Sequence, residues 1–224
     1  GFSEELRALS AAIWKQELAH PFVRGIGEGT LDDARFRHYL EQDYLFLIEY
    51  AKVFALAAAK SPELDTMAYF ARLCHETLNG EMALHRSYCA EFGLTPAHLE
   101  AALPAQTTRG YTGHLLQVAA TGTIADILAA VLPCQWGYAE IAAQLEANGM
   151  PREPRYRKWI EMYASQPFRD YGQWLRETLD GLAASLTPAN KERLKEHFQL
   201  SSRWEYLFWE MAWNLEGWNV PEGG

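Results

Sequence analysis

"TIADILAAVLPCQWGYAEIAAQLEANG", residues 123–149, decides the fold. Ile127, Val131, Cys134, Tyr138, Ile141 and Leu145 step by four and three, which puts them on one face of a helix. Thr123 with Asp126 fits the capping-box spacing, and Asn148-Gly149-Met150-Pro151 is a stop signal, so one helix of about seven turns is predicted over 124–147. Within it Pro133 has no N–H for the carbonyl of Ala129, and a bend is expected one residue before Cys134. Gly137, one turn on, removes a further side chain, so the stretch is suited to framing a pocket.

The same periodicity extends outward in both directions. Helices are expected over 3–18, 31–59, 63–92, 96–101, 110–120, 155–164, 168–185 and 189–216, and nothing reads as a strand. Thr30 with Asp33 repeats the capping-box spacing, while Ser61-Pro62, Thr95-Pro96 and Thr187-Pro188 each set a cap before a first-turn proline. Long helices on short loops give an all-α bundle, read as one domain over 1–224. The 20 Lys and Arg against 29 Asp and Glu leave a net charge of −9 with no basic cluster, which excludes a nucleic-acid backbone as partner. No apolar run is long enough to cross a bilayer and "GFSEELRALS" lacks a basic leader, so no membrane role and a cytoplasmic location are expected. Cys74, Cys89 and Cys134 are odd in number and lack a C-x-x-C pair, as expected of reduced thiols.

Three residues interrupt the apolar stripes. In the second long helix Phe36, Leu40, Asp43, Leu47, Tyr50 and Phe54 share a face, and a carboxylate takes a core position. In the last, Phe198, Ser201, Glu205, Phe208, Ala212 and Leu215 share a face, again with an acid among them. Cys134 holds the corresponding place in the opening stretch. Removing an ionised carboxylate from water costs several kcal/mol unless it is compensated. Asp43 and Glu205 therefore either pair with buried donors to fix helix register or face a shared polar cavity, and Cys134 is either a small hydrophobe or a nucleophile on that cavity. In the second case a thiol, a proton-transfer group and a carboxylate able to hold an amidine-like edge would be together. Tyr44, Phe46, Tyr111, Tyr138, Tyr163 and Phe208 are then candidates to pack a flat heterocycle, with ordinary core packing as the alternative for each.

Other chemistry is set aside. Glu81 and His85, with His75 and Glu76 nearby, have no matching acid–histidine pair on another long helix, so they read as solvated pairs and no metal site is expected. His20 precedes a proline and reads as a turn residue. There is no glycine-rich phosphate loop and no G-x-S-x-G.

"HPFVRGIGEGTL", "YLEQDYLFLIEYAKVFALAAAK", "EMALH", Tyr111, "LPCQWGYAEI", "KWIEMY" and "SSRWEYLFWEMAWNLEGW" together resemble the TenA / thiaminase II family in order and spacing, over residues 2 to 218. The resemblance implies a haem-oxygenase-like fold without haem or other cofactor, assembled as a homotetramer. It implies hydrolysis of 4-amino-5-aminomethyl-2-methylpyrimidine, or of thiamin, to 4-amino-5-hydroxymethyl-2-methylpyrimidine in thiamin salvage. Cys134 then matches the nucleophile, Glu205 the acid/base and Asp43 the anchor of the aminopyrimidine edge. Tyr111, Tyr138 and Tyr163 match pocket positions and Phe208 a ring-packing one. Phe46 stands where familiar members carry a tyrosine hydroxyl near the cysteine, so a slower reaction is expected. The alternative is a regulatory protein that binds the pyrimidine without turnover.

Overall fold

The computed structural model describes residues 1–218 and 220; residue 219 and residues 221–224, the last part of the expected 1–224 domain, lie outside the described residues. Among the described residues there are helices and no strands. In chain order they are α1 (Phe2–Leu9), α2 (Ala11–Ala19), α3 (Pro21–Glu28), α4 (Asp33–Lys60), α5 (Leu64–Glu76), a π-helical turn (Thr77–Glu81), α6 (Met82–Glu91), α7 (Pro96–Ala101), α8 (Gln106–Thr121), α9 (Ile124–Asn148), α10 (Pro154–Tyr163), α11 (Gln166–Ala183) and α12 (Pro188–Asn214). None is long and apolar enough to cross a membrane.

The opening stretch is α9, and it runs unbroken through Pro133. The Thr123–Asp126 capping box is formed in both directions, so the first-turn donors are satisfied locally. α9 is buried along nearly its whole length and packs against α4, α8, α10, α11 and α12. That placement brings residues from five helices to one stretch of its surface. Asp126 is 1% exposed and also accepts from Arg193 of α12 at 2.7 and 3.2 Å, tying the start of α9 to the last helix. Asp126→Ala removes the cap and strands the Thr123 amide, and is expected to destabilise by about 2–3 kcal/mol. Calorimetry should show this as a melting temperature lower by roughly 5–10 °C.

Several expected boundaries are corrected. The helix expected over 3–18 is two helices, because Ser10 leaves helical geometry at φ −102°, ψ 9°. Pro21–Glu28 is a helix that the sequence reading left out, and His20 is its cap, with Nδ1 accepting from Phe22 N at 3.1 Å. Thr30 does not cap α4: its amide closes the end of α3 on the Gly25 carbonyl at 2.9 Å, past Gly29 at φ 72°, and Asp32 caps α4 instead. Ser61 does not cap α5 either, since its hydroxyl donates back to the Ala57 carbonyl of α4 at 2.8 Å. α8 starts at Gln106, earlier than expected. Leu215 is not on the buried face of α12 but is its left-handed cap, 49% exposed. Thr95 and Thr187 cap α7 and α12 as the Thr-Pro pairs foretold.

Candidate active site

α4 carries Asp43 and Phe46 on the face turned to the core; α9 carries Cys134 and Tyr138, and α12 carries Glu205 and Phe208. Phe46 forms the junction: its ring centroid lies 5.1 Å from Tyr111 of α8 and 5.7 Å from Phe208. Tyr138 packs 4.9 Å from Tyr163 of α10. All five rings are buried, whereas Tyr44 is half-buried at the edge of the core. A Cβ at Gly137, beside Tyr138, would meet no atom within 4 Å, so the glycine does leave room on this face.

Burial and mutual charge govern the ionisable groups here. Glu205 is 3% exposed; burial lifts its carboxyl from an ordinary 4.5 to about 7, against the opposing pull of Tyr111, whose hydroxyl donates to Oε1 at 2.5 Å, and of the neighbouring Cys134. Burial raises the Cys134 thiol well above its ordinary value, and the charges of Glu205, Glu81 and Asp43 push it the same way. The resting sulfur is therefore a thiol at neutral pH. Burial, then the charges of Glu81 and Glu205, also raise Asp43, which is 5% exposed. Its Oδ2 has no hydrogen-bond partner. The nearest ring nitrogen, His85 Nδ1, stands 3.4 Å away.

His85 fixes the protonation pattern around Asp43. Its Nε2 lies 2.5 Å from the Leu40 carbonyl, which can only accept, so Nε2 carries the hydrogen. Burial lowers the His85 pKa to about 4, leaving a neutral ring whose Nδ1 lone pair faces Asp43. That lone pair offers Asp43 no donor and disfavours a negative charge on it. The reading of His85 as solvated is thus corrected, since it is buried under α4; Glu81 is half-buried at the end of the π turn and accepts from Tyr163 at 3.1 Å. Glu81 too is raised by burial to about 7, against the Tyr163 bond. Among the described residues, no group of three or more His, Cys, Asp or Glu side chains is arranged to hold a metal ion.

The sequence profile of the TENA/THI-4/PQQC family matches residues 8–215. The chain belongs to this family. It is 43% identical to the aminopyrimidine aminohydrolase of Halalkalibacterium halodurans over 219 residues, covering 97% of this chain and 98% of that one. A solved TenA homologue from P. horikoshii OT3 superposes with a TM-score of 0.88 at 31% identity, covering 95% of this chain and 98% of the other. A domain from Shewanella denitrificans with a heme oxygenase-like fold superposes at a TM-score of 0.73 and 16% identity, over 95% of this chain and 92% of that one, a likeness of fold alone. The all-α, haem-oxygenase-like architecture expected of a TENA/THI-4/PQQC chain is the one observed.

Two features of this TENA/THI-4/PQQC site escaped the sequence reading. Tyr50, one turn beyond Phe46 and stacked on it at 5.2 Å, brings its hydroxyl beside Cys134 while donating to the Val131 carbonyl at 3.3 Å. A phenol is therefore present near the sulfur even with phenylalanine at 46, and its signal was its place on the Asp43 stripe. The Glu81–Tyr163 and His85–Asp43 contacts depend on the π turn, whose five-residue register leaves no trace in a periodicity count.

Proposed function

We propose that this chain is an aminopyrimidine aminohydrolase that converts 4-amino-5-aminomethyl-2-methylpyrimidine, and thiamin at its pyrimidine methylene, to 4-amino-5-hydroxymethyl-2-methylpyrimidine. The likeness to the aminopyrimidine aminohydrolase of Halalkalibacterium halodurans supports the reaction. The observation that carries it is the nearness of Asp43, Cys134 and Glu205, from three helices, whose charges act on one another beside the packed rings of Phe46, Tyr111, Tyr138, Tyr163 and Phe208. Cytoplasmic thiamin salvage by a homotetramer belongs to the same reading.

In this mechanism Cys134 sulfur adds to the ring carbon next to the substituted one. Glu205 takes the thiol proton and delivers it to the adjacent ring nitrogen, a transfer suited to a carboxyl titrating near 7. The methylene–nitrogen bond then breaks with its electron pair on nitrogen, and the positive charge passes to the aminopyrimidine. Water adds to the methylene and gives up a proton, and the sulfur departs as the ring regains aromaticity. The sum is R–CH2–NH3⁺ + H2O → R–CH2–OH + NH4⁺.

Asp43 binds the edge as a neutral carboxyl. A neutral 4-aminopyrimidine edge offers one acceptor, the ring nitrogen, and one donor, the amino group; a carboxylic acid offers the complementary pair. The sequence alone suggested a charged anchor, for which Asp43→Asn would invert half of the bonding. The raised pKa of buried Asp43 changes that expectation, because an amide presents the same donor and acceptor. Asp43→Asn is expected to hold the hydroxymethyl product within about threefold of wild type, and Asp43→Ala to lose roughly 30-fold, the two edge hydrogen bonds being gone. Titration calorimetry decides: equal losses in both variants would mean that an ionised Asp43 is the anchor. Ammonia release from the aminomethyl pyrimidine by the purified protein tests the reaction itself; tight product binding without release would favour the regulatory alternative.

A further inference from the structure

We infer that Glu81 recognises the positive charge on the leaving group, so that the site prefers substrates whose pyrimidine methylene bears a cationic nitrogen. This rests on the reaction proposed above and adds a residue to it. Expulsion of ammonia requires nitrogen to leave from an ammonium, since an amide ion is far too basic to depart. A site that holds the ring but not the charge would bind the amine and the alcohol alike. Asp43 is occupied in reading the ring edge, and Glu205 in serving the sulfur and the ring nitrogen, so neither is free to face the leaving group throughout turnover.

Glu81 has the position for it. Its Oε1 accepts from the Tyr163 hydroxyl at 3.1 Å, and Tyr163 packs 4.9 Å from Tyr138, so Glu81 stands next to the ring cluster, where its charge also acts on Cys134 and Asp43. The same side chain also lines an outer cavity of about 240 Å³, along with Thr77, Gln135, Met162, Phe168 and Tyr171. It therefore links this outer cavity to the ring cluster through Tyr163, and Gln135, the neighbour of Cys134, lines the same cavity from α9. Tyr163 donates to Oε1 alone, which leaves Oε2 as an acceptor for an N–H of an ammonium. The buried Oδ2 of Asp43 has no hydrogen-bond partner and so keeps capacity for a polar ligand. The π turn supplies the geometry: Glu81, at its end, reaches Tyr163 while staying half-exposed on the outer cavity. The aromatic rings of Phe168 and Tyr171 in the outer cavity suit a larger, quaternary nitrogen as well.

The test compares a charged and a neutral ligand on one scaffold. In a Cys134→Ser background, which prevents turnover, calorimetry measures the aminomethyl and hydroxymethyl pyrimidines with Glu81 intact, with Glu81→Gln and with Glu81→Asp. Glu81→Gln is expected to weaken the aminomethyl ligand by roughly 10- to 100-fold, the range for losing a hydrogen bond to a charged group. The hydroxymethyl ligand should change by less than about threefold, which also reports that the variant is folded. Glu81→Asp should restore the preference for the cation. Equal weakening of both ligands would make Glu81 a structural partner of Tyr163 and overturn the inference, as would an unchanged preference in Glu81→Gln. Absence of ammonia release by the wild-type protein would remove the reaction, and with it the leaving-group role, whatever the ligand affinities.

Discussion

Cys134→Ser is expected to reduce hydrolysis of the aminomethyl pyrimidine by on the order of 10³-fold or more while leaving affinity for the hydroxymethyl product within about threefold. The reasoning starts from the resting state. Burial and the neighbouring charges of Glu205, Glu81 and Asp43 all raise the Cys134 pKa, so the enzyme does not store a thiolate. Nucleophilicity must be generated during the attack by proton transfer to Glu205. A thiol remains suited to this because its proton is still the more acidic and its sulfur the more polarisable. A serine hydroxyl in the same low-dielectric space starts from a far higher pKa, and a carboxyl near 7 is too weak a base to share its proton. Ring binding draws on Asp43 and the aromatic walls, none of which the substitution alters. Steady-state kinetics together with product calorimetry checks both halves. Undiminished turnover in Cys134→Ser would remove the nucleophile from the mechanism.

The interruptions of the stripes were legible because burial is periodic and charge is not expected inside. Asp43, Cys134 and Glu205 each interrupt the apolar stripe of a long helix, and the spacing turned Asp43 and Glu205 into the buried core and the half-buried Cys134 against it. The Thr-Pro caps and the Thr123–Asp126 box were legible because a cap is a local device whose partners lie within one turn. What was hidden is non-local or irregular. Glu81 and His85 look like a solvated pair at i, i+4 until α4 covers His85 and α10 brings Tyr163 to Glu81, and no window of sequence contains Leu40, Asp43 or Tyr163. Thr30 and Ser61 carry cap chemistry in the right places, yet the preceding helix claims the Thr30 amide and the Ser61 hydroxyl first. His85 did leave one trace: with Met82 and Cys89 it forms a buried stripe on α6, and a polar residue there is the same kind of anomaly that exposed Asp43.

A site built from buried acids also carries a stability penalty whose pH dependence follows from its purpose. Glu205 ionises near 4.5 in an unfolded chain and near 7 in the folded one. Between those values the native state holds a proton that the unfolded state has released, so the contribution of this group to stability falls as pH rises through that window and the penalty is complete above pH 7. Glu205→Gln deletes the ionisation and keeps an oxygen for the Tyr111 hydroxyl. The variant is therefore expected to be more stable than wild type at pH 8, by at most about 3 kcal/mol, and nearly equal to it at pH 4. Thermal melts at the two pH values should separate by about 5 °C or more at pH 8 and converge in acid. The same substitution is expected to lower kcat by about 10²- to 10⁴-fold, since an amide cannot pass a proton from sulfur to ring nitrogen. The wild-type rate should decline about tenfold per pH unit below about pH 7, as the base becomes protonated. Stabilisation at pH 8 joined to loss of turnover is the pattern required of a carboxylate buried for proton transfer. A Glu205→Gln variant that melts lower than wild type at pH 8 would instead make the Tyr111–Glu205 contact a structural ion–dipole pair.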